Sequence, residues 1–389
     1  MIRTYLVRAL DLLATSLMEF ALPLIVLSTT GSTALAGLSY VAEWVPRILA
    51  IPRAGALVDR WGAGRVFVLA SAARVTLGAV AVTGLILWPS AWWLALVFGA
   101  ASGALFETTF IAGEALTSAL CDARPDDTAR IQGRQGMVDE ITMLCGPLMA
   151  AFLVQAGVVA ALALVTVLAL LAGVLARPLS PVRPAPVEEP RGALTTAIRV
   201  VRAHPVLLWV MVAQFPVNLV FALLTVGAPA VIMKGFGQGE TAVGALWTVA
   251  SVVSLLGIKL AERGISRGGL LRTGLVTLAV TALGGVGAGL SSGFPAFFVC
   301  AALATSTLGA VMTFLRTIRS KVIPQESFGA TISLMVLVAL LANPLAGLLV
   351  AVVPSGGLQP LLAVSGTLAL VAVVIAISRM RTETRTYVR

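Results

Sequence analysis

Six of the acidic side chains inside the long apolar stretches of this 389-residue sequence are candidates for function, because ionisable groups are unusual there. A charged side chain at the depth of a bilayer costs at least ~2.5–3.5 kcal/mol on insertion scales, so each needs a partner or a function. Buried carboxyl groups can hold and release protons, bind cations or form structural ion pairs. The six residues are Glu19, Glu43, Glu107, Glu114, Asp139 and Glu140.

Glu19 and Glu107 are the first candidates for proton coupling. Neither has a basic residue within one helical turn along the chain, and each falls near the middle of its apolar stretch. Desolvation without a partner favours the neutral form of a carboxyl group. Such a group can take up a proton on one side of a membrane and release it on the other. The alternative is a protonated carboxyl that is hydrogen-bonded to a neighbouring helix.

Other acidic residues have basic neighbours along the chain. Arg47 follows Glu43 by four residues, a spacing at which two helical side chains can pair. A structural pair is therefore expected there, with a substrate role for Glu43 as the alternative. Asp139 and Glu140 lie within reach of Arg134, which predicts a salt-bridge network at the membrane interface that closes an inner gate.

The elements that position these residues are predicted to be membrane-spanning helices. Hydrophobic residues make up 59% of the chain and charged residues only 11%, whereas about 25% of the residues in a soluble domain are charged. Apolar runs of roughly 20 residues, enough to cross a bilayer, recur along the whole chain. The expected fold is an all-α membrane protein with helices at 4–28, 34–54, 66–88, 92–121, 135–155, 158–177, 205–233, 241–261, 270–291, 295–318, 327–353 and 358–377.

The twelve helices are expected to form two six-helix bundles, 1–177 and 205–389, joined by a polar, proline-rich cytoplasmic linker, 178–204. Lys and Arg concentrate in alternate loops, with Arg3 and Arg8 counted on the inner side and Lys234 alone on the opposite side. Because cytoplasmic loops are rich in these residues, both termini should be cytoplasmic. The net charge of +10 follows from these loops and does not indicate nucleic-acid binding.

The two halves also contain matching features. Asp59 after the second helix corresponds to Glu262 after the eighth, and Pro147 in the fifth helix corresponds to Pro344 in the eleventh. Both pairs are separated by about half the chain length. Transporters are commonly built from such internal repeats, which predicts pseudo-two-fold symmetry between the bundles.

The segment between the second and third helices resembles motif A of the major facilitator superfamily, G-x-L-x-D-R-x-G-x-R/K. It reads Gly55-Ala-Leu-Val-Asp59-Arg60-Trp-Gly62-Ala-Gly64-Arg65. Glycine permits close approach and positive φ, and an aspartate can pair with basic groups or with a helix N-terminus. The resemblance implies the major facilitator fold and a conformational gate at this segment. The alternative is a charged turn that only anchors the topology.

The fifth helix bears a partial resemblance to motif C of proton-coupled drug antiporters. Gly136 and Gly146-Pro147 match it, but Met149-Ala150-Ala151 replaces the later glycine pair. Drug antiporters of this kind often have an arginine in helix four, where this chain has Glu107 and Glu114. Proton coupling would therefore use a different arrangement.

Within the superfamily, the chain is most similar to bacterial exporters of the enterobactin-exporter-like branch. The segments Glu19-Phe20-Ala21-Leu22-Pro23 and Val322-Ile323-Pro324 carry this resemblance. Arg134, Asp139 and Arg272-Thr273-Gly274-Leu275 resemble ferroportin-like metal exporters more distantly. The apolar stretches contain no histidine and no clustered thiols, the ligands that transition metals favour.

Some aromatic and neutral polar residues at comparable depths are candidates to line a substrate cavity. They are Phe20, Phe110, Gln214, Asn218 and Phe221. Because the membrane-embedded carboxylates all lie in the first half, the predicted cavity is acidic on one wall and neutral on the other.

These features predict a secondary transporter of the bacterial inner membrane, monomeric and multi-pass, that exports a small organic molecule by alternating access coupled to proton influx. The expected substrate is a siderophore or an amphipathic, cationic drug-like compound. No cofactor or resident metal is expected, and the absence of HExxH, GxSxG and P-loop motifs predicts that the chain is not an enzyme. The alternatives are a ferroportin-like divalent metal exporter and a non-transporting membrane sensor or scaffold that keeps the fold.

Overall fold

A computed structural model of the protein describes residues 2–124, 128–179, 193–323 and 327–380. Within these ranges every regular element is a helix, and fifteen α-helices are present. Helices satisfy their own backbone hydrogen bonds, which is a requirement inside a bilayer. Eleven helical stretches of the described residues are long and apolar enough to cross a membrane.

The chain divides into two compact units, Met1–Glu188 and Glu189–Arg389. The first unit has six helices: α1 Ile2–Thr30, α2 Thr33–Trp61, α3 Ala63–Leu87, α4 Trp93–Asp122, α5 Thr128–Gln155 and α6 Val158–Ala176. All except α5 are among the eleven apolar stretches. Helix α5, which is 28 residues long, completes the predicted set of six.

The second unit contains nine helices: α7 Ala193–Ala203, α8 Pro205–Ala230, α9 Glu240–Gly268, α10 Leu270–Leu290, α11 Phe294–Ser306, α12 Leu308–Val322, α13 Phe328–Leu340, α14 Ala342–Val352 and α15 Leu358–Met380. The pairs α11/α12 and α13/α14 each form one apolar span that is interrupted near its middle. The short helix α7 lies within the predicted linker and packs against α8 and α13. The rest of the bundle again has six spans.

Close backbone approach holds the helices of each unit together. A Cβ on Gly146 of α5 would lie 2.8 Å from the carbonyl carbon of Ser16 in α1, and one on Gly103 of α4 would collide with the carbonyl oxygen of Glu43 in α2. In the second unit, a Cβ on Gly366 would lie 2.5 Å from the backbone nitrogen of Val286. Small residues at such contacts are typical of membrane helices, because apolar side chains gain little by leaving lipid.

Single glycines join corresponding helices in the two units. Gly62 connects α2 to α3 with φ 83° and ψ 142°, and Gly269 connects α9 to α10 with φ 90° and ψ 147°. Glycine alone adopts this backbone region without strain. The sequence predicted a longer turn between 54 and 66, which is wrong, because α2 continues through the motif A segment to Trp61. Apart from glycine, that segment contains no residue that would break a helix.

Candidate functional site

One face of α1 carries four polar residues, Arg8, Asp11, Thr15 and Glu19, at spacings of three, four and four. With 3.6 residues per turn, this spacing places them in a line about 16 Å long. The helix packs against α2, α4, α5 and α6. Each of the four side chains therefore meets polar groups of other helices in the same unit, and together they build three clusters.

The Arg8 cluster comprises Arg8, Glu114 of α4, and Gln135 and Asp139 of α5. The Nη2 of Arg8 lies 2.6 Å from a Glu114 oxygen, and its Nε lies 2.9 Å from Asp139 Oδ1. Gln135 donates a 2.8 Å hydrogen bond to the same Glu114 oxygen. Arg8 is only 6% exposed but Glu114 is 46% exposed, so water reaches this cluster through Glu114. The cluster links α1 to both α4 and α5.

The Arg74 cluster comprises Arg74 of α3, Asp11 and Thr15 of α1, and Ser102 and Thr109 of α4. Arg74 is 1% exposed and lies 2.7 Å from Asp11. Its Nε donates to Ser102 at 3.1 Å and its Nη2 to Thr15 at 3.4 Å. Thr109 donates to the second Asp11 oxygen at 2.8 Å. This ion pair is thus hydrogen-bonded on both sides, as a charge in a dry interior requires.

The Arg47 cluster comprises Arg47 and Glu43 of α2, Glu19 of α1 and Glu107 of α4. The Nε of Arg47 donates to Glu107 at 2.5 Å, and its Nη1 lies 3.4 Å from Glu19. The guanidinium carbon lies 4.1 Å from the centre of the nearest Trp44 ring and 4.5 Å from that of Phe106, at cation–π distance. Glu19 and Glu107, which have no partner along the chain, therefore share an arginine from another helix.

Glu43 has a different environment from the other two carboxyl groups of the cluster. It is 2% exposed, and its buried Oε2 atom has no hydrogen-bond partner. Among the ion pairs of the described residues, none includes Glu43. The predicted Glu43–Arg47 pair is therefore wrong, because Arg47 is directed towards Glu107 and Glu19. One guanidinium thus stands beside three carboxyl groups.

The contacts at the predicted inner gate also differ from those that the sequence predicted. Asp139 pairs with Arg8 of α1, whereas Arg134, its predicted partner, is exposed. Sequence proximity favoured Arg134, but Arg8 lies on a helix packed along α5. Of the motif A residues, Gly55 lies inside α2 and Gly62 lies between α2 and α3. Arg60 and Arg65 are exposed. The side chains of Asp59 and Glu140 lie outside the described part of the structure.

The candidate cavity residues have varied environments. Phe110 lies under Arg8, with the guanidinium carbon 4.3 Å from its ring centre, so it supports the Arg8 cluster. Gln214 is 3% exposed and its Oε1 has no hydrogen-bond partner. Asn218 donates to the carbonyl of Ala339 at 3.4 Å. Phe20 and Phe221 are half-buried.

Sequence analysis missed several of the residues that complete these clusters. Arg8 was counted on the inner side, and Asp11 and Arg74 were not among the predicted site residues. The three-four-four spacing on α1 and the arginine inside an apolar stretch were the available signals. A hydrophobicity profile averages over many residues and therefore shows neither the spacing nor the single arginine.

The second unit has neutral polar contacts between its helices. The hydroxyl oxygens of Thr281 in α10 and Thr307, between α11 and α12, lie 2.6 Å apart. The five ion pairs of the described residues all lie in the first unit. The paired buried charges among the described residues are therefore concentrated in the first unit.

This architecture can be compared with those of known proteins. The sequence matches the Major Facilitator Superfamily over residues 4–347. The chain belongs to this superfamily. As a member of the Major Facilitator Superfamily it is a multi-pass membrane transporter and not an enzyme, and its fold is the predicted all-α arrangement of twelve membrane helices. A search of curated proteins finds no match.

Solved structures with the same fold belong to several kinds of transporter. A bacterial homologue of the iron transporter ferroportin in an inward-facing state has a TM-score of 0.73 and 18% identity, with 97% of each chain covered. The nucleoside transporter NupG has a TM-score of 0.72 and 12% identity, covering 97% of this chain and 99% of its own. A bacterial homologue of the lysosomal transporter Spinster has a TM-score of 0.65 and 17% identity, covering 99% and 96%. These neighbours do not single out the enterobactin-exporter-like branch.

Proposed function

We propose that this superfamily member exports a small organic molecule across a bacterial inner membrane, as a monomer with cytoplasmic termini, in exchange for protons. The Arg47 cluster is the observation that carries the proposal. Glu19 and Glu107 lie near the middle of α1 and α4, the depth at which transporters of this type bind substrate. Ionisable groups at that depth are costly, and transporters retain them for function.

The chemistry of the cluster supports a cationic substrate. Three carboxyl groups face a single guanidinium, so the cluster can hold protons or a further positive charge. A substrate cation that binds Glu19 would compete with Arg47 for the same carboxylate. This competition is the property that an exchanger needs, because proton and substrate then occupy the site alternately. A siderophore or an amphipathic drug-like cation suits such a site.

Other predicted residues have supporting roles in this proposal. The motif A residues, with Asp139 and its partner Arg8, form the conformational gate on the inner side. Gln214 and Asn218 in the second unit supply neutral hydrogen-bonding groups that select the substrate.

Transport into inside-out membrane vesicles tests the proposal. With an acidic lumen, the wild-type protein should accumulate a permeant-cation dye or a catecholate siderophore, and it should carry protons outward. Glu19→Gln and Glu107→Gln should reduce proton-dependent accumulation at least tenfold, because each removes a carboxylate that binds Arg47. Glu262→Gln, which changes an exposed residue, is the matched control. Normal transport by both cluster variants with unchanged proton dependence would refute the assignment.

Export of a divalent metal ion is the second candidate. The fold similarity to a ferroportin homologue favours it. Among the described residues, however, no group of three or more His, Cys, Asp or Glu side chains is arranged to hold a metal ion. The same vesicles loaded with a metal-sensitive dye distinguish the two, since uptake of Fe²⁺ or Mn²⁺ without uptake of any organic compound would select the metal. A sensor or scaffold would transport neither.

A further inference from the structure

We propose, on the basis of the exchange proposed above, that Glu43 holds the exchanged proton. Arg47 moves between Glu19 and Glu43 as this proton is lost and regained. Glu19 then binds the cationic substrate only after Glu43 has released its proton. This assigns different roles to the three carboxyl groups, and it gives the proton to Glu43, for which the sequence predicted a structural pair. It also links proton and substrate through one guanidinium.

The first step concerns the surroundings of Glu43, which determine whether its carboxyl group carries a proton. Its carboxyl group is 2% exposed, has no ion pair among the described residues, and has one buried oxygen without a hydrogen bond. A buried carboxylate without a partner is far less stable than a neutral carboxyl group. Glu43 therefore carries a proton in this arrangement, whereas Glu19 and Glu107 pair with Arg47.

The second step concerns everything charged or titratable that faces Glu43. The helices packed against α2 are α1, α3 and α4. The groups that they and α2 itself contribute are Glu19, Tyr40, Arg47, Arg74 and Glu107. Arg74 is bound by Asp11, Ser102 and Thr15. Arg47 is thus the cation that can change partner.

The third step is the exchange itself. Arg47 holds Glu107 at 2.5 Å but Glu19 at 3.4 Å, so the Glu19 contact is the weaker of the two. When the O–H bond of Glu43 breaks and its proton passes to water, the new carboxylate lies one helical turn from Arg47. Arg47 then leaves Glu19 for Glu43, and the vacated Glu19 carboxylate takes a cation of substrate. Reprotonation of Glu43 returns Arg47 to Glu19 and expels that cation.

Close packing restricts where the Glu43 carboxyl group can move. A Cβ on Gly103 would collide with the carbonyl oxygen of Glu43 and would lie 3.4 Å from its Cγ. Helix α4 thus covers the base of the side chain. The carboxyl group therefore stays beside Arg47 whether or not it carries the proton.

Infrared spectroscopy of the purified full-length protein in lipid vesicles tests this assignment without a substrate. At neutral pH the wild type should show the carbonyl band of a protonated carboxyl group, and Glu43→Gln should lose it. Glu43→Asp should keep the band at a shifted frequency, and Glu262→Gln should keep it unchanged. Circular dichroism and thermal unfolding of each variant establish that the fold is retained.

The outcomes separate this inference from the proposed function. Absence of the band from the wild type, or its survival in Glu43→Gln, overturns the role of Glu43 whatever the protein transports. Loss of the band in Glu43→Gln, together with vesicles that exchange no protons for any substrate, supports the proton site and refutes the proposed exchange alone.

Discussion

The two units have the same six-span plan but different interiors. The first unit has five ion pairs around α1, whereas the contacts between helices of the second unit include neutral ones such as Thr281–Thr307. Both units have close glycine contacts and a single glycine between corresponding helices. The second unit reaches the same six-span plan, and its Arg319, whose Nε atom is buried, belongs to no cluster among the described residues like the three around α1, so six spans can form without such clusters. The charges of the first unit therefore point to function.

Removing Arg74 should give the largest loss of stability. Arg74→Leu leaves Asp11 buried without its counterion, which should lower the free energy of unfolding by about 3–5 kcal/mol. The double variant Asp11→Leu/Arg74→Leu should recover much of this loss, because no charge then remains buried. Thermal unfolding in detergent measures both, with the exposed Arg65→Leu as the control. A double variant as unstable as the single one would mean that the fold itself needs this ion pair.

Glycine contacts should matter equally in the two units. Gly146→Val in the first unit and Gly366→Val in the second force a side chain against the backbone of a neighbouring helix, which should cost about 1–3 kcal/mol each. Gly356→Val, where a Cβ meets nothing within 4 Å, should have little effect. Thermal unfolding of the three variants provides the measurement. Strong destabilisation in only one unit would show that the units are not packed in the same way.

The smallest effect is expected from the neutral contact in the second unit. Thr281→Val removes a hydrogen bond between membrane helices, a change of about 0.6–1.7 kcal/mol. Thr277→Val is the matched control, because the Thr277 hydroxyl bonds to the backbone of its own helix. The unfolding temperature of Thr281→Val should be slightly lower than that of Thr277→Val. A loss as large as that of Arg74→Leu would contradict the contrast between charged and neutral interiors.

The sequence was sufficient for features that depend on local composition. Apolar runs predicted the spans, and the motif A glycines indicated the region that contains the positive-φ turn at Gly62. It was insufficient for partners that belong to different helices. The four-residue spacing predicted that Arg47 pairs with Glu43. The positions of α1 and α4 instead bring Glu19 and Glu107 to Arg47. Arg8 was misplaced for a similar reason, since hydropathy cannot distinguish a loop arginine from one buried against Asp139.

The line of polar residues on α1 has a consequence for how this helix tolerates change. An insertion of one residue between Arg8 and Asp11 would rotate the two parts of α1 relative to each other by about 100°. The Arg8 cluster and the clusters of Arg74 and Arg47 could then no longer face their partners simultaneously. A single substitution alters one cluster. A change in length rotates the Arg8 cluster away from the alignment that it shares with the other two. We therefore expect α1 to accept replacements far more readily than insertions or deletions.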